Sequence, residues 1–170
     1  RANHASAKEA AEAHLKPLAS LSIPFEIPFA LVNSTTVGLF NNHYFQHHKV
    51  SEKKIVAPTP FFYPLDRIRN WNRIYGPRGF FQYQCVVPLE GAHEKIKALL
   101  EIASASGWPS FLAVLKLFGK LPSAGCMSFP MEGITLALDF PNHGQPLLAL
   151  FDRMDRFVLE AGGRVYAAND

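Results

Sequence analysis

The sequence predicts an α+β domain of the ferredoxin-like type, a split β-α-β-β-α-β unit whose antiparallel four-stranded sheet carries two helices on one face. Three observations predict it. From Gly79 onward, apolar residues recur with period two, then 3.6, then two twice, then 3.6, then two again, the order strand, helix, strand, strand, helix, strand. The two halves of that order are alike. Each helical segment is apolar along one stripe only, so both need a shared surface to lie on, and a sheet supplies it.

The elements follow in order. Ser6-Ala-Lys-Glu9 has the form of a capping box and opens an alanine-rich helix that ends at Pro17. Residues 21–45, "LSIPFEIPFALVNSTTVGLFNNHYF", contain Pro24 and Pro28 and are expected to run extended, as a connector lying on another surface. Residues 46–60, "QHHKVSEKKIVAPTP", read as an exposed loop. The division is therefore 1–62 for helix, connector and loop, and 63–170 for the ferredoxin-like domain. Leu65, Ile68, Trp71 and Tyr75 have the spacing of one face of a short helix, stopped by Gly76-Pro77.

The first strand of the sheet is expected over 79–88. A helix from Ala92 follows, with Ala92, Ile96, Leu99, Leu100 and Ala103 inward and Gly107 as its stop. "SFLAVLKLF" at 110–118 and "GITLALDF" at 133–140 are the next strands. Pro146 then starts a helix with Leu147, Leu150, Phe151, Met154, Phe157, Val158 and Ala161 inward, ended by Gly162-Gly163, and the fourth strand begins at Arg164.

Alternation sorts each strand into a helix-covered face and an open one. Phe81, Tyr83, Cys85 and Val87, then Phe111, Ala113, Leu115 and Leu117, then Ile134, Leu136, Leu138 and Phe140 fall on the helix side. Phe80, Gln82, Gln84, Val86, Val114, Lys116, Phe118, Thr135, Ala137, Asp139 and Tyr166 fall on the other. That open face mixes amides, a lysine, a carboxylate and a phenol with apolar groups. Such a mixture fits a ligand wall, and equally a face packed on a second domain with Lys116 paired to Asp139.

Bulk properties narrow the classes. A chain of 170 residues, 48% of them hydrophobic, can bury a real core, and order is expected for most of it outside the 46–60 loop. The surplus of 17 basic over 14 acidic residues, net +3, permits an anionic ligand without demanding nucleic acid. Arg67, Arg69, Arg73 and Arg78 interleave with Trp71 and Tyr75 but do not extend into a basic stripe, so no nucleic acid is expected. His43, His47 and His48 lack a carboxylate at ligand spacing, and no metal is expected. Cys85 and Cys126, 41 residues apart with no CxxC, read as free thiols of a reducing cytoplasm, Cys85 facing the helices and inert. No run approaches the roughly 20 apolar residues that span a bilayer. GxSxG, HExxH, P-loop and GxGxxG motifs do not occur.

The runs "PLDRIRNWNRIYGPRGFFQYQCVVP", "KLFG" (116–119), "SFPMEG" (128–133), "LALDFP" (136–141) and "LEAGGRVYAAND" (159–170) resemble the C-terminal half of the decaprenylphosphoryl-ribose oxidase family, FAD-linked oxidoreductases of the vanillyl-alcohol-oxidase type. The resemblance implies a substrate-binding domain whose FAD is held mainly by a partner domain lying upstream of residue 1, so that this chain alone is inactive. It implies oxidation of a secondary alcohol of a sugar or polyprenyl-phosphate sugar by hydride transfer to the flavin. By position, Tyr63, Gln84, Lys116 and Phe118 match residues lining the substrate pocket, with Lys116 the one nearest a catalytic role, and Tyr166 matches a flavin contact. Gln82 and Thr135 join the substrate set from the open face. Asn169 stands where the family carries a lysine near the reacting centre, and Ala137 where mycobacterial members carry cysteine. The alternative is a stand-alone ferredoxin-like ligand-binding or regulatory module. In either case the open face invites self-association as a homodimer.

Overall fold

In the computed structural model the described residues are 5, 6, 8, 21–25, 32–47, 55, 68–120, 122, 125 and 128–167. The predicted N-terminal helix lies almost wholly outside them, as do Tyr63, Leu65, Arg67, Cys126 and Asn169.

Four strands make the main sheet: β3 (Phe80–Val87), β4 (Ala113–Phe118), β5 (Gly133–Pro141) and β6 (Arg164–Val165). Helix α2 (Ala92–Ala105) joins β3 to β4, and α3 (Gln145–Glu160) joins β5 to β6. The lateral order is β4-β5-β3-β6, with every pairing antiparallel, as the ferredoxin-like reading requires. Register follows the alternation: Gln82 lies opposite Asp139, Gln84 opposite Ala137, and Lys116 opposite Thr135.

The stripes predicted for the helices meet the predicted face of the sheet. Tyr83, Cys85, Val87, Leu136, Leu138 and Phe140 pack with Ile96, Leu99, Leu147, Leu150, Met154 and Val158 in one buried cluster. Each fully buried leucine or methionine there contributes about 1.5–3 kcal/mol of hydrophobic stabilisation. Tyr83 keeps its hydroxyl satisfied by donating to Asp155 Oδ1 at 2.9 Å. Burial pushes the Cys85 thiol up to about 12, so it stays protonated and inert.

Three expectations are corrected. Residues Ser34–His47 form a helix, α1, where an extended connector was expected. Pro24 and Pro28 end their influence before it starts, and Asn33 caps it: Asn33 Oδ1 accepts from the amides of Thr35 and Thr36 at 3.1 and 3.0 Å, and Thr36 Oγ1 accepts from the amide of Asn33 at 3.2 Å.

The described part of the helix expected through Leu65 and Tyr75, residues 68–75, is instead a two-residue strand, β2 (Ile68–Arg69), followed by a 3-10 turn over Trp71–Tyr75. Asn70, at φ 58, breaks any continuous helix between them. β2 pairs in parallel with β1 (Leu21–Ser22), and Arg73 ties the two by donating from Nη1 to the carbonyls of Ile23 and Pro24 at 2.8 and 2.9 Å.

Third, Phe111 does not face the helices. It precedes β4 and packs in a second cluster with Val32, Val37, Tyr75, Ile74, Trp71 and Phe80 on the opposite side of the sheet. Leu115 and Leu117 do point to the helix side yet stay exposed, at 56% and 72%, because α2 and α3 lie over β5, β3 and β6 and leave the edge strand β4 uncovered.

Candidate functional site

The open face divides into three zones along the strands. At one end the 3-10 turn and α1 cover it: Tyr75 stacks on Phe80 with ring centroids 4.6 Å apart, and Trp71 lies 5.3 Å from Phe80. Under that cover sits Asp139, 1% exposed. Gln82 Nε2 donates to Asp139 Oδ1 at 2.7 Å, a direct tie between the β3 and β5 side chains. Asp139 Oδ2 and the Tyr75 hydroxyl are both buried without a partner. Burial raises the Asp139 carboxyl above the usual carboxylate range, with the Gln82 bond opposing it. Burial also raises the Tyr75 phenol, helped by the nearby Asp139 charge.

The middle zone is polar. Thr135, 1% exposed, accepts a long hydrogen bond from Gln84 Nε2 at 3.4 Å on the diagonal. Lys116 stands directly opposite Thr135 on the other flank, exposed to solvent. Gln84, Thr135 and Lys116 therefore form a row across β3, β5 and β4, an order that alternation and pairing impose together.

The far end is aromatic. Phe118 meets Phe129 edge-on at 6.1 Å, and Phe129 meets Tyr166 at 5.0 Å. Phe129 belongs to the loop between β4 and β5, and Arg164 on β6 holds that loop by donating from Nη1 to the carbonyls of Ser128 and Pro130 at 2.7 and 3.1 Å. The Tyr166 amide extends the β3 pairing by donating to the Gln84 carbonyl at 2.9 Å, and its ring is 37% exposed.

The face thus brings together Gln82, Gln84, Lys116, Phe118, Thr135 and Tyr166, whereas Tyr63 and Asn169 lie outside the described residues. The ion pair between Lys116 and Asp139 does not form, because their register positions differ and Gln82 takes the carboxylate. Sequence reasoning missed Phe129 and Arg164 as builders of the site. Phe129 sits in an aperiodic Pro-flanked loop, and only the strand order brings Arg164 near it. Among the described residues no group of three His, Cys, Asp or Glu side chains is placed to hold a metal ion. No helix among them is long and apolar enough to cross a membrane.

Comparison with known proteins agrees with the motifs. Over 150 residues the chain is 39% identical to the decaprenylphosphoryl-β-D-ribose oxidase of Mycolicibacterium smegmatis, a match covering 88% of this chain and 32% of that oxidase. The resemblance to this oxidase is therefore shown. The chain spans about a third of the length of this curated relative. A second relative, an uncharacterized protein in the mprA 5'region of Streptomyces coelicolor, is 36% identical over 92 residues, covering 54% of this chain and 24% of that protein. No family model matches.

Proposed function

We propose that this chain is the substrate-binding part of an FAD-dependent oxidoreductase that oxidises a secondary alcohol of a sugar or polyprenyl-phosphate sugar. The observation that carries the reading is that Gln84, Lys116, Phe118 and Tyr166, assigned to substrate and flavin by resemblance, share one contiguous face with Gln82 and Thr135. A face built for solvent would not set an aromatic row beside buried Thr135 and Asp139.

The donor set fits a flavin. Tyr166 offers a partly exposed ring beside Phe129, an apolar border suited to one edge of a planar ring system. Asn169, by resemblance, stands where the family carries a lysine near the reacting centre. FAD when bound supplies the hydride acceptor. The residues of this chain do the rest: Gln82 and Gln84 hydrogen-bond sugar hydroxyls, and Lys116, a compact ammonium, holds an anionic or alkoxide-like oxygen. Phe118 and Phe129 exclude water from that end.

A partner domain is also favoured by apolar surface on α1. Leu39, Phe40, Tyr44 and Phe45 are 68%, 52%, 55% and 80% exposed, a row that a neighbouring FAD-binding domain would cover. The test is the visible spectrum of the protein expressed from the whole gene, followed by anaerobic addition of polyprenyl-phosphate sugars. A flavin band that bleaches with a sugar alcohol is the expected result. A colourless whole-gene product would overturn the reading and favour a stand-alone binding module.

A further inference from the structure

Gln82 and Gln84 occupy the same face two residues apart, yet their surroundings differ. Gln84 reaches a hydroxyl at 3.4 Å, a group that can donate or accept. Gln82 meets a carboxyl oxygen at 2.7 Å, a short, charge-assisted distance. Asp139 is directly opposite Gln82 across the β3–β5 pair and is 1% exposed, with the Tyr75 phenol near enough to feel its charge, so its carboxyl group is held away from solvent.

A glutamine amide has a donor end and an acceptor end. The carboxyl group on the cross-strand partner takes the donor end, which leaves the carbonyl oxygen Oε1 as the end of the amide that a ligand can use. With Asp139 ionised Oδ1 can only accept, and in the protonated form Oδ1 still accepts when the proton is on Oδ2, which has no other partner. Among the described residues the titratable groups facing this cluster include Tyr75 from the 3-10 turn, its phenol kept protonated by burial, and Lys116, whose register partner lies four residues along β5, roughly 13 Å away at strand spacing.

We propose that Asp139 is a positioning residue which locks the Gln82 amide so that the site presents a fixed hydrogen-bond acceptor, selecting a hydroxyl donor of the substrate at that end and disfavouring carbonyl or phosphate oxygens there. The inference rests on the substrate-binding reading of the open face. It assigns the site a direction: acceptor at the Gln82 end, cation at the Lys116 end. An alcohol is recognised at Gln82 as a donor, away from the oxygen that Lys116 holds.

The test is a double-mutant cycle in the whole-gene protein, with Asp139→Leu, Gln82→Ala and both together, and with Asp139→Asn as the conservative variant. Asp139→Leu is expected to raise KM for the sugar roughly three- to tenfold, the cost of an amide no longer held in place, with kcat within twofold. The double variant should cost no more than Gln82→Ala alone, and Asp139→Asn, which keeps an acceptor for Gln82 Nε2, should stay within twofold of wild type. Additive losses, or an Asp139→Asn loss equal to that of the leucine variant, would overturn the proposal. Asp139→Val serves if the leucine variant does not fold.

A second readout is independent of turnover. In protein labelled with 15N-glutamine, the Gln82 side-chain amide protons should exchange slowly in wild type and Asp139→Asn and rapidly in Asp139→Leu. An unchanged Gln82 signal in Asp139→Leu sinks the positioning role whatever the kinetics. Wild-type protein that turns over no sugar sinks the substrate reading instead, and the exchange result then decides Asp139 alone.

Discussion

Replacing Gly163 by alanine should destabilise the domain far more than the same change one residue earlier, although both glycines end α3. An added Cβ at Gly163 would lie 2.4 Å from the Val86 carbonyl oxygen, 2.8 Å from Val158 Cγ1 and 3.0 Å from the Val158 carbonyl oxygen. Two of these are backbone atoms and the third belongs to a fully buried side chain, so no flexible group can yield. Relief requires β6 to move off β3, which weakens the Tyr166 amide bond to the Gln84 carbonyl and shifts Tyr166 from Phe129.

The overpacking costs about 1–3 kcal/mol and the weakened hydrogen bond about 1 more. At this chain length each kcal/mol lowers Tm by roughly 2–4 °C, so Gly163→Ala should lower it by roughly 5–15 °C. At Gly162, with φ +73, the nearest atom to an added Cβ is Pro88 Cγ at 3.8 Å. Only left-handed backbone strain remains there, about 1 kcal/mol and roughly 2–4 °C. Thermal denaturation followed by circular dichroism on the two variants checks this. A Gly163→Ala variant as stable as Gly162→Ala would refute the close approach of α3, β6 and β3, and with it the placement of Tyr166.

Asp139 gives a pH prediction. Its folded value is raised above the unfolded value of about 3.9, so its proton stabilises the fold and that contribution is lost as pH rises through the raised value. Asp139→Asn should therefore lack a slope that wild type shows on the acidic side of neutrality, and be the more stable of the two at neutral pH. Melts across that range showing wild type gaining stability over the variant as pH rises would contradict the burial argument. Lys116→Ala in the whole-gene protein should lower kcat/KM by about tenfold or more, and unchanged steady-state kinetics would return Lys116 to a surface role. Asn169→Lys should raise kcat/KM for a polyprenyl-phosphate sugar by about tenfold, on the resemblance that puts a lysine there. Equal rates would assign that task to another group.

Local periodicity is a property of consecutive residues, and the sequence by itself therefore determined the four strands of the main sheet, both covering helices and the face of the side chains within the strands, while Phe111, just outside β4, escaped that rule. It put Gln82, Gln84, Lys116, Thr135 and Tyr166 on one surface before any pairing was known. Register and strand order are long-range properties, and only the tertiary structure decided them. Pairing set Gln82, rather than Lys116, against Asp139, because a shift of four residues along β5 separates the two partners.

Strand order carried Arg164 to the loop of Phe129, 34 to 36 residues away in the chain. Cover was decided the same way: α2 and α3 lie on β5, β3 and β6 and leave Leu115 and Leu117 of β4 exposed, although their alternation is that of buried residues. The helix α1 was within reach of the sequence, since Asn33-Ser-Thr-Thr36 carries its own cap, but the prolines upstream hid it. A cap acts through four residues and a proline through fewer, so the nearer signal wins.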